Sequence, residues 1–426
     1  MSAVTFSAPR GELNATVRVP GSKSVANRVL VCALMADGES RISGLPDGDD
    51  TAVILDVLNQ VKRMRREAGV VVVSGSHEVK LPGIIDAQLA GTSSRFLTAV
   101  AALGHATCIV DGAEPLRGRP MADLHDALAS LGAELTPFGE VGHLPISVTR
   151  GSIHGGQISI RGDVSSQFVS ALMLIGPMLD DGLVIDVVGD LVSRSYVEMT
   201  SQVMSSFGAK AQISEAQISI APGGYRATDY VIEPDFSSAA FPLVAVALRE
   251  GAVSVPSLAL AEMQGDAEIL NVLIKMGCIV TKRQMEVEVS RTNERLHGIE
   301  VDMADCSDLV PAVAVAMLFA NSDSRITGVG FIRRKESDRL GDLASELRKI
   351  GAEIEVEDDG LIIHPLREMR PASLNTHHDH RLAMAFSLLA LSIEGVEVQD
   401  PSVVSKSWPS FFSDMEAILG VSTTQH

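Results

Sequence analysis

Six apolar helical runs, each opening on small polar or charged residues, recur along the 426-residue chain. They are SKSVANRVLVCALM from Ser22, TSSRFLTAVAAL from Thr92, SSQFVSALMLIG from Ser165, SSAAFPLVAVAL from Ser237, DLVPAVAVAMLFA from Asp308 and DHRLAMAFSLLAL from Asp379. Their starts lie about 70 residues apart. That period exceeds a solenoid repeat and leaves room for a whole supersecondary unit each time. A β-like stretch follows every run (SRISG, ATCIVDG, GLVIDVV, AVSVPS, SRITG, GVEVQD), and then a second helix with apolar residues near i, i+3, i+4 and i+7 that a glycine usually stops. After five of these second helices come paired β-like stretches, such as GAKAQIS with AQISIAP. The unit reads helix, strand, helix, strand, strand.

The sixth unit runs out of chain after Gly420, whereas residues 3–20 supply a β-like pair with no helices before it. The N-terminus is therefore expected to complete unit six. That closure predicts one domain over 19–229 and a discontinuous one from 1–18 with 230–426. Turn chemistry at Pro222-Gly223-Gly224 suits a hinge between them, and two chain crossings would permit closure around a ligand.

Hydrophobic residues make up 46% of the chain, with one Trp and three Tyr, so aliphatic cores are expected, in more than one domain. A formal charge of −19 argues against nucleic acid or an anionic membrane as the main partner. Any anion it binds must meet a local basic pocket. Cys32, Cys108, Cys278 and Cys306 lie far apart without C-x-x-C spacing, which suggests neither a zinc knuckle nor a disulfide framework. No export signal or membrane-spanning stretch is read, so a cytoplasmic location is expected.

The starts of the helices carry the chemistry. A helix N-terminus offers unpaired N–H groups and partial positive charge, and thus favours an anion. Lys23, Ser24 and Arg28 belong to the first start, Gly91 and Arg95 to the second, and Ser165, Ser166 and Gln167 to the third. Arg119, Ser193 with Tyr196, and Lys335 with Arg339 precede or open second helices, while Arg381 and Lys406 belong to unit six. Cations at helix starts are electrostatically costly unless an anion is shared. Each Arg or Lys alone reads as a surface salt-bridge partner; together they suit a small, multiply charged substrate in one crevice. Asp308 reads equally as an N-cap and Glu336 as a first-turn acid, yet among bound ions either can move a proton. His377, His378 and His380 have no i, i+4 pair, so no metal site is expected.

The motifs VPGSKSVANR, LAGTSSR, RGRPMADLHDAL, GDVSSQF, DFSSAAF, RRKESDRL, DHRLAMAF and VVSKSWPSFF, in this order and spacing, resemble the enolpyruvyl transferase family, and within it the branch acting on shikimate 3-phosphate. The likeness spans essentially the whole chain. It implies an α/β fold of two domains, each of three βαβαββ units, forming an inside-out α/β barrel. It also implies transfer of the enolpyruvyl group of phosphoenolpyruvate to the shikimate 5-hydroxyl, with no metal or organic cofactor, in a monomer. By the same resemblance shikimate 3-phosphate would contact Lys23, Ser24, Arg28, Ser165, Ser166, Gln167, Ser193, Asp308 and Lys335. Phosphoenolpyruvate would contact Lys23, Gly91, Arg119, Gln167, Arg339, Arg381 and Lys406. Asp308 would accept the hydroxyl proton, Glu336 would donate to C3, and Lys23 would neutralise charge between the substrates.

Leu89, where many members carry Asn, and Phe331-Ile332, in place of a more polar pair, depart from the family pattern. Gly91 leaves the phosphoenolpyruvate side without a methyl, so inhibition by glyphosate is expected. The sister transferase acting on UDP-N-acetylglucosamine usually carries a reactive Cys before an Arg-Pro pair. Here that stretch is DGAEPLRGRP. A silent anion-binding homologue is the other alternative, against which the retained Lys23, Asp308, Glu336, Arg339 and Lys406 count.

Overall fold

The computed structural model describes residues 3–6, 11–261, 263–292 and 295–422. The chain divides into two compact units, Gly21–Ile232 and Met1–Pro20 with Glu233–His426. The break falls beyond the turn at 222–224 because Tyr225–Arg226 and Tyr230–Val231 both pair in parallel with Ala36–Ser43 and so remain in the Gly21–Ile232 unit.

Among the described residues each unit holds three sheets that share one strand order, parallel at one edge and antiparallel beyond it. In the second repeat Ile84–Asp86 runs parallel to Cys108–Asp111, which pairs antiparallel with Ile146–Thr149, itself the partner of Glu134–Pro137. The repeat is therefore βαβαββ, with a strand ahead of the first helix that the sequence pattern did not disclose. Its members Ile84–Asp86, Glu300–Asp302 and Ser373–Leu374 are too short to show alternation.

The N-terminal stretch does not form a hairpin. Ala3–Phe6 pairs antiparallel with Glu397–Gln399 and with Val421–Ser422, completing the sixth sheet. Leu13–Thr16 instead runs parallel to Gly251–Pro256 and supplies the first strand of the fourth. The two strands thus tie the chain's beginning to the first and last repeats of one unit. Tyr225–Val231 does the equivalent for the first repeat of the other.

The first helix of each repeat is the buried one. Every residue of Phe236–Leu248, Val310–Met317 and His380–Leu388 is buried, as expected of helices apolar on all sides. A fully buried Leu or Val there contributes roughly 1.5–3 kcal/mol. The second helices are amphipathic: Gly341–Lys349 buries Leu343, Ala344 and Leu347, together with Glu346, which pairs with Lys349, and leaves Arg348 and Lys349 toward its end. Several of them stop where a glycine takes positive φ, as at Gly132 and Gly351. Among the described residues no helix is long and apolar enough to cross a membrane.

Candidate active site

In the Glu233–His426 unit, charged side chains from repeats five and six interlock at the helix starts. Repeat five's buried helix does not begin on an Asp308 cap. It is preceded by the tight turn Ala304–Leu309, kinked at Cys306, which carries Asp308 inside it. Its carboxylate collects cations. Lys335 Nζ lies 2.7 Å and Arg339 Nη1 2.8 Å from Oδ1, and Arg381 Nη2 lies 2.7 Å from Oδ2. Lys335 also donates to Ser307 Oγ at 2.9 Å.

Glu336 is held in the same way. Its Oε2 meets Arg339 Nη2 at 2.7 Å and His380 Nδ1 at 3.1 Å, and its Oε1 meets Lys406 Nζ at 2.7 Å. Arg339 completes the array with Nε on Asp379 Oδ2 at 2.7 Å. Asp379 in turn caps its helix by accepting from the Arg381 backbone N–H. Burial by itself would push the Asp308 carboxyl up, but the charges of Arg381, Lys335 and Arg339 outweigh it and hold it well below the usual carboxylate range. Burial is likewise overcome at Glu336 by Lys406, His380 and Arg339. Both carboxylates are ionised at neutral pH. Burial lowers the Lys335 ammonium despite the neighbouring Asp308.

Glu336, Asp379 and His380 place candidate ligand atoms within 4.8 Å of one another. The carboxylate oxygens already face Arg339 and Lys406, so a metal cation would enter against like charge. The three histidines diverge: His377 meets Glu346 at 3.0 Å, His378 meets Asp400 at 3.4 Å and His380 meets Glu336.

In the Gly21–Ile232 unit, Lys23 opens the helix Lys23–Met35 and its Nζ lies 3.0 Å from Asp50 Oδ2. Arg28, one turn on, is buried. Its Nε donates to Thr200 Oγ1 at 2.7 Å, Nη1 to the Ser24 carbonyl at 2.8 Å, and Nη2 to Ser170 Oγ and the Tyr196 carbonyl, both at 3.2 Å. Its guanidinium lies 5.3 Å from the Phe96 ring centroid. These partners are all neutral, and burial pushes the guanidinium down to about 10. A desolvated cation among neutral dipoles has unused capacity for an anion.

Gly91 opens the second repeat's helix, Gly91–Ala101. A Cβ there would lie 2.5 Å from Arg119 Nη1 and 2.7 Å from Arg95 Nη1. The missing methyl therefore makes room for two guanidinium groups. The lead-in residues Ser22 and Ala90 make no side-chain cap among the described residues, which leaves backbone N–H groups at both starts. Ser165 caps Ser166–Ile175 through the Gln167 N–H, at 3.3 Å, and Ser166 is buried. Ser193, with φ of 53°, precedes Arg194–Ser206 and its neighbour Tyr196.

Each unit thus gathers its own share of the residues named from sequence. Asp50, Asp379 and His380 were not assigned roles there, because an acid or histidine at a helix start reads as a cap until its partner, tens of residues away, is known. Thr200 and Ser170 carried no signal at all.

Two sets of three βαβαββ repeats, with cations and carboxylates interleaved at helix starts, define a protein of the inside-out α/β class. Residues 7–415 match the family described as EPSP synthase (3-phosphoshikimate 1-carboxyvinyltransferase). The chain is 36% identical to the 3-phosphoshikimate 1-carboxyvinyltransferase of Trichormus variabilis, over 99% of this chain and 100% of the relative. It is also 36% identical to that of Burkholderia cenocepacia, over 96% and 98%. An EPSP synthase structure from Acinetobacter baumannii shares the fold with a TM-score of 0.84 at 24% identity, covering 100% of both chains. The enolpyruvyl transferase NikO from Streptomyces tendae shares it at 0.78 and 18%, over 100% of this chain and 99% of its own. The chain belongs to the EPSP synthase family.

Proposed function

We propose that this protein transfers the enolpyruvyl group of phosphoenolpyruvate to the 5-hydroxyl of shikimate 3-phosphate, a step of the shikimate pathway, and releases inorganic phosphate. The observation that carries the reading is the pair of buried carboxylates, Asp308 and Glu336, each held ionised by three cationic or protonatable side chains. Addition followed by elimination needs one base, one acid and cations around the transferring group, and side chains supply all of them.

Asp308, already ionised, accepts the 5-hydroxyl proton as that oxygen attacks C2 of phosphoenolpyruvate. C3 gains a proton from Glu336, and the tetrahedral adduct then loses phosphate as the Glu336 carboxylate takes a proton back from C3. For Glu336 to donate, its affinity for a proton must rise. An anion on Lys406 and Arg339 does this by cancelling the charges that depress it. Shikimate 3-phosphate draws on Lys23, Ser24, Arg28, Ser165, Ser166, Gln167, Ser193, Asp308 and Lys335. Phosphoenolpyruvate draws on Lys23, Gly91, Arg119, Gln167, Arg339, Arg381 and Lys406. The enzyme works as a monomer in the cytoplasm.

Phosphate release from a mixture of the two substrates tests the reading. Asp308→Ala and Glu336→Ala are each expected to lose about 10²–10⁴-fold in rate. Wild-type protein that releases no phosphate from this mixture would refute it.

A further inference from the structure

Beside the turn that bears Asp308 lies a carboxylate that the mechanism does not use. Asp266 sits in the turn Gly265–Glu268, which packs against the turn Ala304–Leu309 that bears Asp308. It is 4% exposed. Its Oδ2 accepts a hydrogen bond from Ser237 Oγ, in the first turn of Phe236–Leu248. The same turn is pinned to that helix by Gln264, whose Oε1 accepts from the Phe236 N–H at 2.8 Å and whose Nε2 donates to the Pro234 carbonyl at 2.8 Å. Asp266 is therefore held by the Ser237 hydroxyl on a turn that packs against the one bearing Asp308, and the charges of Asp308 and Arg381 act on it.

We propose that Asp266 is a positioning residue for proton transfer, whose negative charge counterweighs the cations crowded on Asp308 and so keeps Asp308 able to accept a proton. The inference rests on Asp308 acting as the base. Three cations on one carboxylate make it a weak base. A second buried carboxylate restores part of the lost affinity without touching substrate, and it takes part of Arg381's field. Reciprocity requires Asp266 to feel Asp308, and burial together with the Asp308 charge does push its carboxyl up to about 6. Arg381 and the Ser237 hydroxyl pull the other way, Asp235 at the helix cap adds to the push, and Cys306 lies within the same field. Asp266 thus gains its charge as pH rises through about 6.

The test is the ratio of wild-type kcat/KM to that of Asp266→Asn as a function of pH. Titration of the substrates' own phosphates cancels in the ratio. Below about pH 5 the wild-type residue is neutral and the ratio should approach one. Above pH 6 it should rise to about three- to tenfold, the effect of up to one pKa unit on Asp308. Ser237→Ala removes a hydrogen bond that favours the charged form, so its ratio to wild type should depart from one only between about pH 6 and 7. This second variant carries the test if Asp266→Asn does not fold. A ratio constant with pH, or a Ser237→Ala profile superimposable on wild type, overturns the proposal. Failure of the functional reading looks different, because wild-type protein then shows no phosphate release at any pH.

Discussion

Arg339 Nε and Asp379 Oδ2 meet at 2.7 Å with both side chains almost wholly out of solvent, joining the lead-in to repeat five's second helix to the start of repeat six's first. The same guanidinium reaches Asp308 and Glu336. One side chain therefore orients both carboxylates assigned to proton transfer. Arg339→Lys keeps the charge but cannot span three carboxylates. We expect a loss of about 3–5 kcal/mol in unfolding free energy, read by denaturant titration, from the partners left unpaired. Phosphate release should fall by at least about 100-fold. Wild-type rates in a folded Arg339→Lys protein would remove Arg339 from the site.

Arg28 separates binding from stability. Its partners are neutral and its charge is desolvated, so Arg28→Gln relieves an electrostatic cost while giving up hydrogen bonds. The thermal midpoint should move little. Affinity for shikimate 3-phosphate, measured by calorimetry, should weaken by about 10- to 150-fold, corresponding to about 1.5–3 kcal/mol for hydrogen bonds to a charged group.

At Gly91 the geometry makes a steric prediction. An added methyl would lie 2.5 Å from Arg119 Nη1 and 2.7 Å from Arg95 Nη1, so both heads must retreat, Arg119 from the anion it serves. Gly91→Ala should raise KM for phosphoenolpyruvate by several-fold. It should raise the glyphosate concentration needed for half-inhibition by about tenfold or more, since the bulkier ligand has less room to follow. An alanine variant as readily inhibited as the parent contradicts this placement of Arg119.

His125 makes acid stability measurable. It is buried, with neither ring nitrogen hydrogen-bonded among the described residues. Burial, aided by His143 and Arg95, lowers it from 6.5 to about 4. Above pH 6.5 folded and unfolded chains both hold it neutral, and its contribution is complete. As pH falls from 6.5 towards 4 the unfolded chain takes up the proton first, and stability drops by up to about 3 kcal/mol. Urea midpoints measured at pH 7.5, 6 and 4.5 should show this slope in wild type and a shallower one in His125→Leu.

The long-range plan was legible because six buried helices must be apolar on every side and must each be followed by an amphipathic partner, a pattern that survives at any alignment of the repeats. What escaped was whatever depends on few residues or distant partners. Ser373–Leu374 pairs with Glu397–Gln399 over two residues, too few to alternate. Leu13–Thr16 and Ala3–Phe6 looked like a hairpin because local spacing cannot tell one sheet from another. In the site, the cations were visible at helix starts as an electrostatic oddity. Asp50 under Lys23 and Asp379 under Arg339 were hidden by their resemblance to ordinary first-turn acids.

Calorimetric titration of shikimate 3-phosphate into single charge-removal variants, one from each unit, tests the central claim most directly. Arg28→Gln lies in the Gly21–Ile232 unit and Lys335→Met in the other. If Arg28 and Lys335 each contribute to holding this anion, each variant should bind it at least about tenfold more weakly than wild type. Unchanged affinity in either variant, with the fold intact, contradicts the claim.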